Sequence, residues 1–253
     1  MNVIELKNLN YNHWDYENLK GYIYTDFVDE SLFNSLKKIV ISYIDYQNKN
    51  TFLTNNTIFN FNGKSVKLIS NPSNDRYQNV IFDLTLHPEW YYQTSDTIKE
   101  WSVNVLNNTI SPVFLKFLKK VEENSVINIE KEKWIPIRQH INILAYDKLL
   151  GMHLDSSALH FNNENPNVLS LTFYLDDHVE NCGGELFTLH GFVYKPKANS
   201  CIMFNGSQVY HGVTQNKHPE KKTRQAFSIR FAHIDDLFLP GHPSKHLWKL
   251  DHL

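Results

Sequence analysis

The chain predicts an α+β fold, a jelly-roll β core preceded by helices that pack on its outer face. Three observations lead there. A helical apolar stripe runs from Asp29 to Ile44. From about Trp134 to about His233 the hydrophobic period changes to two, in short runs separated by polar turns. The 253 residues, 42% of them hydrophobic, suffice to bury a full core. The expected organisation is one domain over 1–253. It has an N-terminal helical and supporting region at 1–133, a jelly-roll core at 134–233 and a tail at 234–253.

In chain order, Tyr22 to Val28 alternates as a strand does. Asp29 can then cap a helix whose Leu32, Phe33, Leu36, Ile39, Val40, Tyr43 and Ile44 share one face at three- and four-residue spacing. Residues 51–90 are aromatic and Asn-rich and read as hairpins or a long loop, with a turn at Asn71-Pro72-Ser73-Asn74-Asp75. Thr94–Leu106 and Ser111–Glu123 read as two helices, the second capped by Ser111 with Pro112 at its first position. The strand from Arg138 to Tyr146 puts Gln139, Ile141, Ile143 and Ala145 on one face. Arg138, His140, Asn142, Leu144 and Tyr146 lie on the other. An internal site would turn this second face inward. For Arg138 and His140 a solvent-facing position fits equally well, whereas Asn142 and Tyr146 lie nearest the next turn.

Composition excludes several classes. Net charge is −2 and the pI about 6.7, so no general electrostatic drive pulls the chain toward nucleic acid or an anionic membrane. No apolar run approaches the roughly 20 residues of a membrane-spanning helix. The start, Met1 to Leu6, lacks the basic and then apolar regions of a signal peptide. Cys182 and Cys201 read as reduced thiols, and a cytoplasmic location is expected.

The chemistry concentrates at His153-Leu154-Asp155, followed 56 residues later (211 − 155) by His211. Residues i and i+2 of a strand point the same way, so His153 and Asp155 can reach one metal. Two imidazoles and a carboxylate suit one face of an octahedral iron(II), with the opposite positions open. With 13 His and 27 Asp plus Glu, such a pair also arises by chance, as a loop histidine beside a capping aspartate. The downstream strand changes the balance. In Arg224-Gln225-Ala226-Phe227-Ser228-Ile229-Arg230-Phe231, Phe227, Ile229 and Phe231 share one face, and Arg224, Ala226, Ser228 and Arg230 the other. Arginines on an interior face suit a dicarboxylate, because the planar guanidinium binds both oxygens of a carboxylate.

From about Ile137 to Phe231 the sequence resembles the iron(II)/2-oxoglutarate-dependent oxygenase superfamily, on its prolyl-4-hydroxylase-like branch. The matching pieces stand in the family's order. They are Ile141 to Tyr146, the turn with Gly151, His153-Leu154-Asp155, and Leu169 to Asp176 for the strand ending in Tyr-Leu-Asn. Gly183-Gly184-Glu185, Pro196 to Ser200, His211-Gly212-Val213 and Arg224-Gln225-Ala226 follow. The resemblance implies a double-stranded β-helix, cupin-like core. It implies iron held by His153, Asp155 and His211, and 2-oxoglutarate held by Arg224 with Tyr146; Asn142 and Ser228, on the inward faces of their strands, are further candidates beside the co-substrate. It also implies oxygen as oxidant and stimulation by ascorbate. Arg224 comes later than in many relatives because of the Lys217-to-Lys222 insertion, so Arg230, on the same face, is a rival for its role. Asn199 stands where many relatives have Gly.

The implied activity is hydroxylation of an unactivated C–H bond of a prolyl or other amino-acid residue, free or in a peptide, with release of succinate and carbon dioxide. A halogenating relative would need Gly or Ala in place of Asp155. Arg138 and His140 are candidates for contacting an amino-acid, peptide or small-molecule substrate. The 51–90 segment and the loop Ser156–Val168 are candidate lids. Trp90, Tyr91 and Tyr92 suit a groove or the core. The alternatives are a nucleic-acid demethylase on the same scaffold, a non-catalytic jelly-roll binding module, and a zinc hydrolase using the same ligands.

Overall fold

The first helix, α1 (Glu30–Lys49), begins where Asp29 caps it. The Asp29 carboxylate accepts from the Leu32 amide at 2.9 Å, and its backbone carbonyl accepts from Phe33 at 3.0 Å. The computed structural model describes residues 1–6, 21–49, 57–61, 64–73, 76–83, 111–128, 134–155, 168–189 and 191–233. α1 runs past the expected Ile44 to Lys49, and its Leu32, Leu36, Ile39 and Val40 are buried. The other described helix, α2 (Ser111–Asn124), buries Phe117, Leu118 and Val121 against the same core. The helix expected at Thr94–Leu106, the aromatics Trp90 to Tyr92, the loop 156–167 and the tail 234–253 lie outside the described residues.

The strands are β1 (Asn2–Leu6), β2 (Gly21–Thr25), β3 (Thr57–Phe61), β4 (Lys64–Ser73) and β5 (Arg76–Asp83), then β6 (Trp134–Leu144), β7 (Leu150–His153), β8 (Val168–Tyr174) and β9 (Leu186–Thr188). β10 (Val193–Tyr194), β11 (Ser200–Asn205), β12 (His211–Val213) and β13 (Arg224–His233) complete the set. A larger sheet has the order β1-β2-β11-β8-β13-β6-β5-β4-β3, and a smaller one β10-β9-β12-β7. This is the double-stranded β-helix fold with helices on one face. The 51–90 segment supplies hairpins, and the 1–133 region contributes β1 to β5 to the sheet besides its helices.

Strand parity divides the core in two. Tyr22 and Tyr24 of β2, Leu171 and Phe173 of β8, Cys201 and Met203 of β11, and Phe227, Ile229 and Phe231 of β13 meet α1 and α2. The intervening residues Ile23, Tyr174, Ile202, Phe204 and Ala226 form a second cluster with Leu186, Tyr194 and Val209. A one-residue slip in any strand would exchange these sets. Cys182 and Cys201 are both free. No described helix is long and apolar enough to cross a membrane.

Asn199 opens β11 from a left-handed conformation, φ +57°, where asparagine is tolerated in place of glycine. Its side chain accepts from the Val28 amide at 3.0 Å and donates to the Val28 carbonyl at 2.8 Å. The amide thus clips the turn before β11 to the segment entering α1.

Candidate active site

His153 closes β7 and His211 opens β12, and the two residues face each other in antiparallel register. Their ring centroids are 4.5 Å apart. Each Nδ1 lies against a backbone carbonyl, His153 on Gly151 at 2.9 Å and His211 on Val209 at 2.8 Å. A carbonyl only accepts, so each Nδ1 carries the proton and each Nε2 keeps its lone pair for a metal. The Asp155 carboxylate lies 3.5 Å from both Nε2 atoms, through Oδ1 to His153 and Oδ2 to His211. The three donor atoms lie within 4.8 Å of one another. At metal–ligand lengths of about 2.0–2.2 Å, one ion reaches all three after small side-chain shifts. Two neutral imidazoles and one carboxylate fit a divalent iron.

Asp155 is buried, which by itself pushes its carboxyl pKa up. The Arg230 guanidinium, His211 and His153 outweigh this and hold it well below the usual carboxylate range. Its amide donates to the Gly206 carbonyl at 2.8 Å. A Cβ on Gly206 would stand 2.1 Å from Ser170 Oγ and 2.8 Å from Asp155 Oδ2, so the close approach needs glycine.

Between the two sheets, a cavity of about 70 Å³ joins this cluster to Arg224. Its polar floor comes from three adjacent strands of the larger sheet. Asn142 Nδ2 donates to Ser228 Oγ at 2.6 Å, and Ser228 Oγ meets Thr172 Oγ1 at 3.2 Å. The Arg224 guanidinium lies over the Tyr174 ring, 4.7 Å from its centroid. Arg224 Nε and Nη2, the Tyr174 hydroxyl and the Ser170 hydroxyl are buried with no hydrogen-bond partner. A Cβ on Gly184 (φ +81°) would come 3.1 Å from Arg224 Cδ, so the Gly183-Gly184 turn lets the arginine lie flat. Orphaned charged donors are costly inside a protein. They fit a bound carboxylate, which supplies the missing acceptors.

The expected residues separate in this frame. His153, Asp155, His211, Asn142, Arg224, Ser228 and Arg230 all line the cavity. The two arginines occupy different places. Arg230 Nη2 donates to Asp155 Oδ1, whereas the orphaned donors of Arg224 lie beside Tyr174. Tyr146 is not brought there. It is 39% exposed, with Lys221 Nζ 5.8 Å above its ring. β6 ends at Leu144 and Asp147 adopts φ +64°, so the inward alternation expected for Tyr146 stops two residues short. Arg138 and His140 lie in β6 opposite Arg230 and Ser228, and their side chains are outside the described residues. Tyr174, Thr172 and Ser170 line the cavity and were missed from sequence. Their signal was in the run from Leu169 to Asp176, whose even-numbered members share a face with Tyr174.

Residues 141–229 match the model of the 2OG-Fe(II) oxygenase superfamily. No curated protein matches the sequence. Among solved structures, the chain is similar to a prolyl-4-hydroxylase from Pseudomonas putida at 13% identity and TM-score 0.50, covering 84% of this chain and 92% of that one. It is also similar to AviO1 from Streptomyces viridochromogenes Tue57 at 10% identity and TM-score 0.50, covering 88% of this chain and 91% of that one. At such identities the likeness is one of fold. The matched segment carries the histidines, the carboxylate and the orphaned arginine alike, and over it the chain is similar to the 2OG-Fe(II) oxygenase superfamily, enzymes that use Fe(II) and 2-oxoglutarate.

Proposed function

We propose that the chain hydroxylates an unactivated C–H bond of a prolyl or other amino-acid residue, free or within a peptide. Substrate, 2-oxoglutarate and oxygen give hydroxylated substrate, succinate and carbon dioxide. The observation that carries the reading is the orphaned guanidinium of Arg224 in a cavity that also holds the three metal-ligating side chains. A binding module has no use for that pairing. The carboxylate at Asp155 occupies the position a halogenase would leave open, and the fold likeness to a prolyl-4-hydroxylase supports an amino-acid side chain as substrate.

In this reading His153, Asp155 and His211 hold iron(II), which supplies the oxidising chemistry once oxygen and the 2-oxo acid are bound. Their Nδ1–carbonyl hydrogen bonds keep the imidazoles aimed without a change of tautomer. Arg224 and Tyr174 grip the far carboxylate of 2-oxoglutarate, and the Asn142–Ser228–Thr172 ladder forms the floor beneath it. The apolar neighbours Leu150, Leu186 and Val213 exclude water, which strengthens each of these contacts. Arg138 and His140 remain the candidates for the substrate side.

The test is anaerobic titration of the apo-protein with iron(II) and 2-oxoglutarate, followed in the visible spectrum. A metal-to-ligand charge-transfer band is expected, lost in Asp155→Ala. In Arg224→Gln it should require roughly ten- to hundredfold more 2-oxoglutarate, the weight of hydrogen bonds to a charged group. Amino acids and peptides are then incubated aerobically and searched by mass for the gain of one oxygen atom matched by equimolar succinate. A folded, metal-loaded protein with no band would overturn the oxygenase reading. A band without any amino-acid or peptide product would overturn the substrate class alone.

A further inference from the structure

The mechanism above leaves the second arginine of β13 without a task. Arg230 sits six residues beyond Arg224, about 20 Å along the strand at roughly 3.3 Å per residue. It is 14% exposed and donates from Nη2 to Asp155 Oδ1. The pairing of β13 with β6 shifts register between Arg230 and Phe231. The extra residue, Ile137, is on β6, while β13 keeps unbroken register with β8, so the irregularity lies opposite Arg230 and not in its own strand.

Asp155 is therefore held twice from the larger-sheet side. Its amide donates to Gly206 at the end of β11, and its carboxylate accepts from Arg230 of β13. Neither contact comes from β7, which brings His153. Each carboxylate oxygen lies 3.5 Å from one histidine Nε2, Oδ1 from His153 and Oδ2 from His211, but only Oδ1 is also engaged by the guanidinium. A carboxylate with one oxygen occupied has one oxygen free for a metal. A carboxylate free to rotate can offer both oxygens and take up a coordination position that the 2-oxo acid requires.

We propose that Arg230 is a positioning residue that restricts Asp155 to ligating iron through one oxygen, so that the metal keeps two adjacent positions for chelation by a 2-oxo acid. The inference rests on the oxygenase reading above and concerns the metal end of the co-substrate. Arg224 acts at the opposite end. The two roles make opposite demands on a co-substrate that lacks the far carboxylate. Loss of Arg224 penalises 2-oxoglutarate and is indifferent to pyruvate, which has no far carboxylate to grip. Loss of Arg230 penalises both, because both chelate through the same carboxylate and keto oxygen.

The experiment compares wild type, Arg224→Gln, Arg230→Gln and Arg230→Lys. Cobalt(II) titration first establishes that each variant loads metal. Dissociation constants for 2-oxoglutarate and for pyruvate are then read from the charge-transfer band of the anaerobic iron(II) protein. In Arg230→Gln both constants should rise about tenfold or more, in the range seen when partners of metal ligands are removed. Arg230→Lys, which retains a donor and a charge, should recover part of the loss. Arg224→Gln should raise only the constant for 2-oxoglutarate. A loss in Arg230→Gln confined to 2-oxoglutarate would make Arg230 a second far-carboxylate anchor and overturn the proposal. Unchanged constants for both acids would overturn it too, leaving Arg230 as a counter-charge for a buried carboxylate and no more. Should Arg230→Gln fail to fold, Arg230→Lys carries the same comparison, a smaller rise shared by both acids being expected. A wild-type protein that loads cobalt(II) and gives no band with either acid would fail at the oxygenase reading instead, and that outcome is visible before any variant is made.

Discussion

Tyr174 and Tyr146 show at the scale of single residues how much a site depends on where a strand stops. Both are tyrosines next to apolar strands, and both fall on the polar side by parity. Tyr146 lies beyond the end of β6 and is half in solvent, while Tyr174 is the last residue of β8 and fully buried. Burial, opposed by the Arg224 charge, holds the Tyr174 phenol protonated far above neutral pH. It is thus a hydrogen-bond donor at every working pH, beside a cation whose own buried donors lack partners. Tyr174→Phe should therefore raise the dissociation constant for 2-oxoglutarate by roughly tenfold, about 1.5 kcal/mol for a hydrogen bond to a charged acceptor. Metal affinity should stay unchanged, and the anaerobic titration reads both. A Tyr146→Phe variant, whose ring is exposed, should leave the constant as it is.

At the scale of elements, the turns decide how strands meet the helical layer. Asn199 carries a strained conformation and two side-chain hydrogen bonds to Val28 at once. Replacement by Gly keeps the backbone and removes the clip, at a cost of about 2 kcal/mol for two hydrogen bonds. Replacement by Ala removes the clip and adds the penalty of a left-handed L-residue, about 1 kcal/mol or somewhat more. Urea unfolding should rank the proteins wild type, Asn199→Gly, Asn199→Ala in falling stability. Equal stability of the Gly and Ala variants would show that the left-handed turn is not retained in the Ala protein. The asparagine that tolerates this backbone thus also ties the turn to the segment entering α1.

At the scale of the whole molecule, one face of the larger sheet is welded to helices and the other is shared between a second apolar cluster and the cavity. Phe27, Phe117 and Phe173 meet in a ring cluster with centroids 4.9–6.3 Å apart, with Phe33 and Phe227 at its edge. Across the sheet the packing gives way to hydroxyls, amides and arginines around the cavity. The histidines belong to the smaller sheet, and Asp155 is tied to the larger one through Gly206 and Arg230. A metal bound by all three therefore cross-links the two sheets. Cobalt(II) at a hundred times its dissociation constant should add about 2.7 kcal/mol to unfolding. A thermal melt should rise with the metal in wild type and not in His211→Ala. Equal melting of wild type with and without bound metal would show that the ion does not distinguish folded from unfolded chain.

Local spacing was enough to read which residues of β13 face the helices and which face the cavity, and to pick out the histidines and carboxylate that gather there. Period two placed Phe227, Ile229 and Phe231 against the helices and Arg224, Ser228 and Arg230 toward the cavity. Asp29 set the start of α1 through bonds to amides three and four residues away. Arg224 and Arg230 share parity, so nothing local distinguishes them. Only the fold decided that one contacts Asp155 and the other is left with orphaned donors beside Tyr174. It likewise decided that Tyr146 leaves the cavity and Tyr174 enters it. These outcomes depend on where strands end and which distant strand lies alongside. Those are set by the packing of two sheets and the helical layer, and no window of sequence contains them.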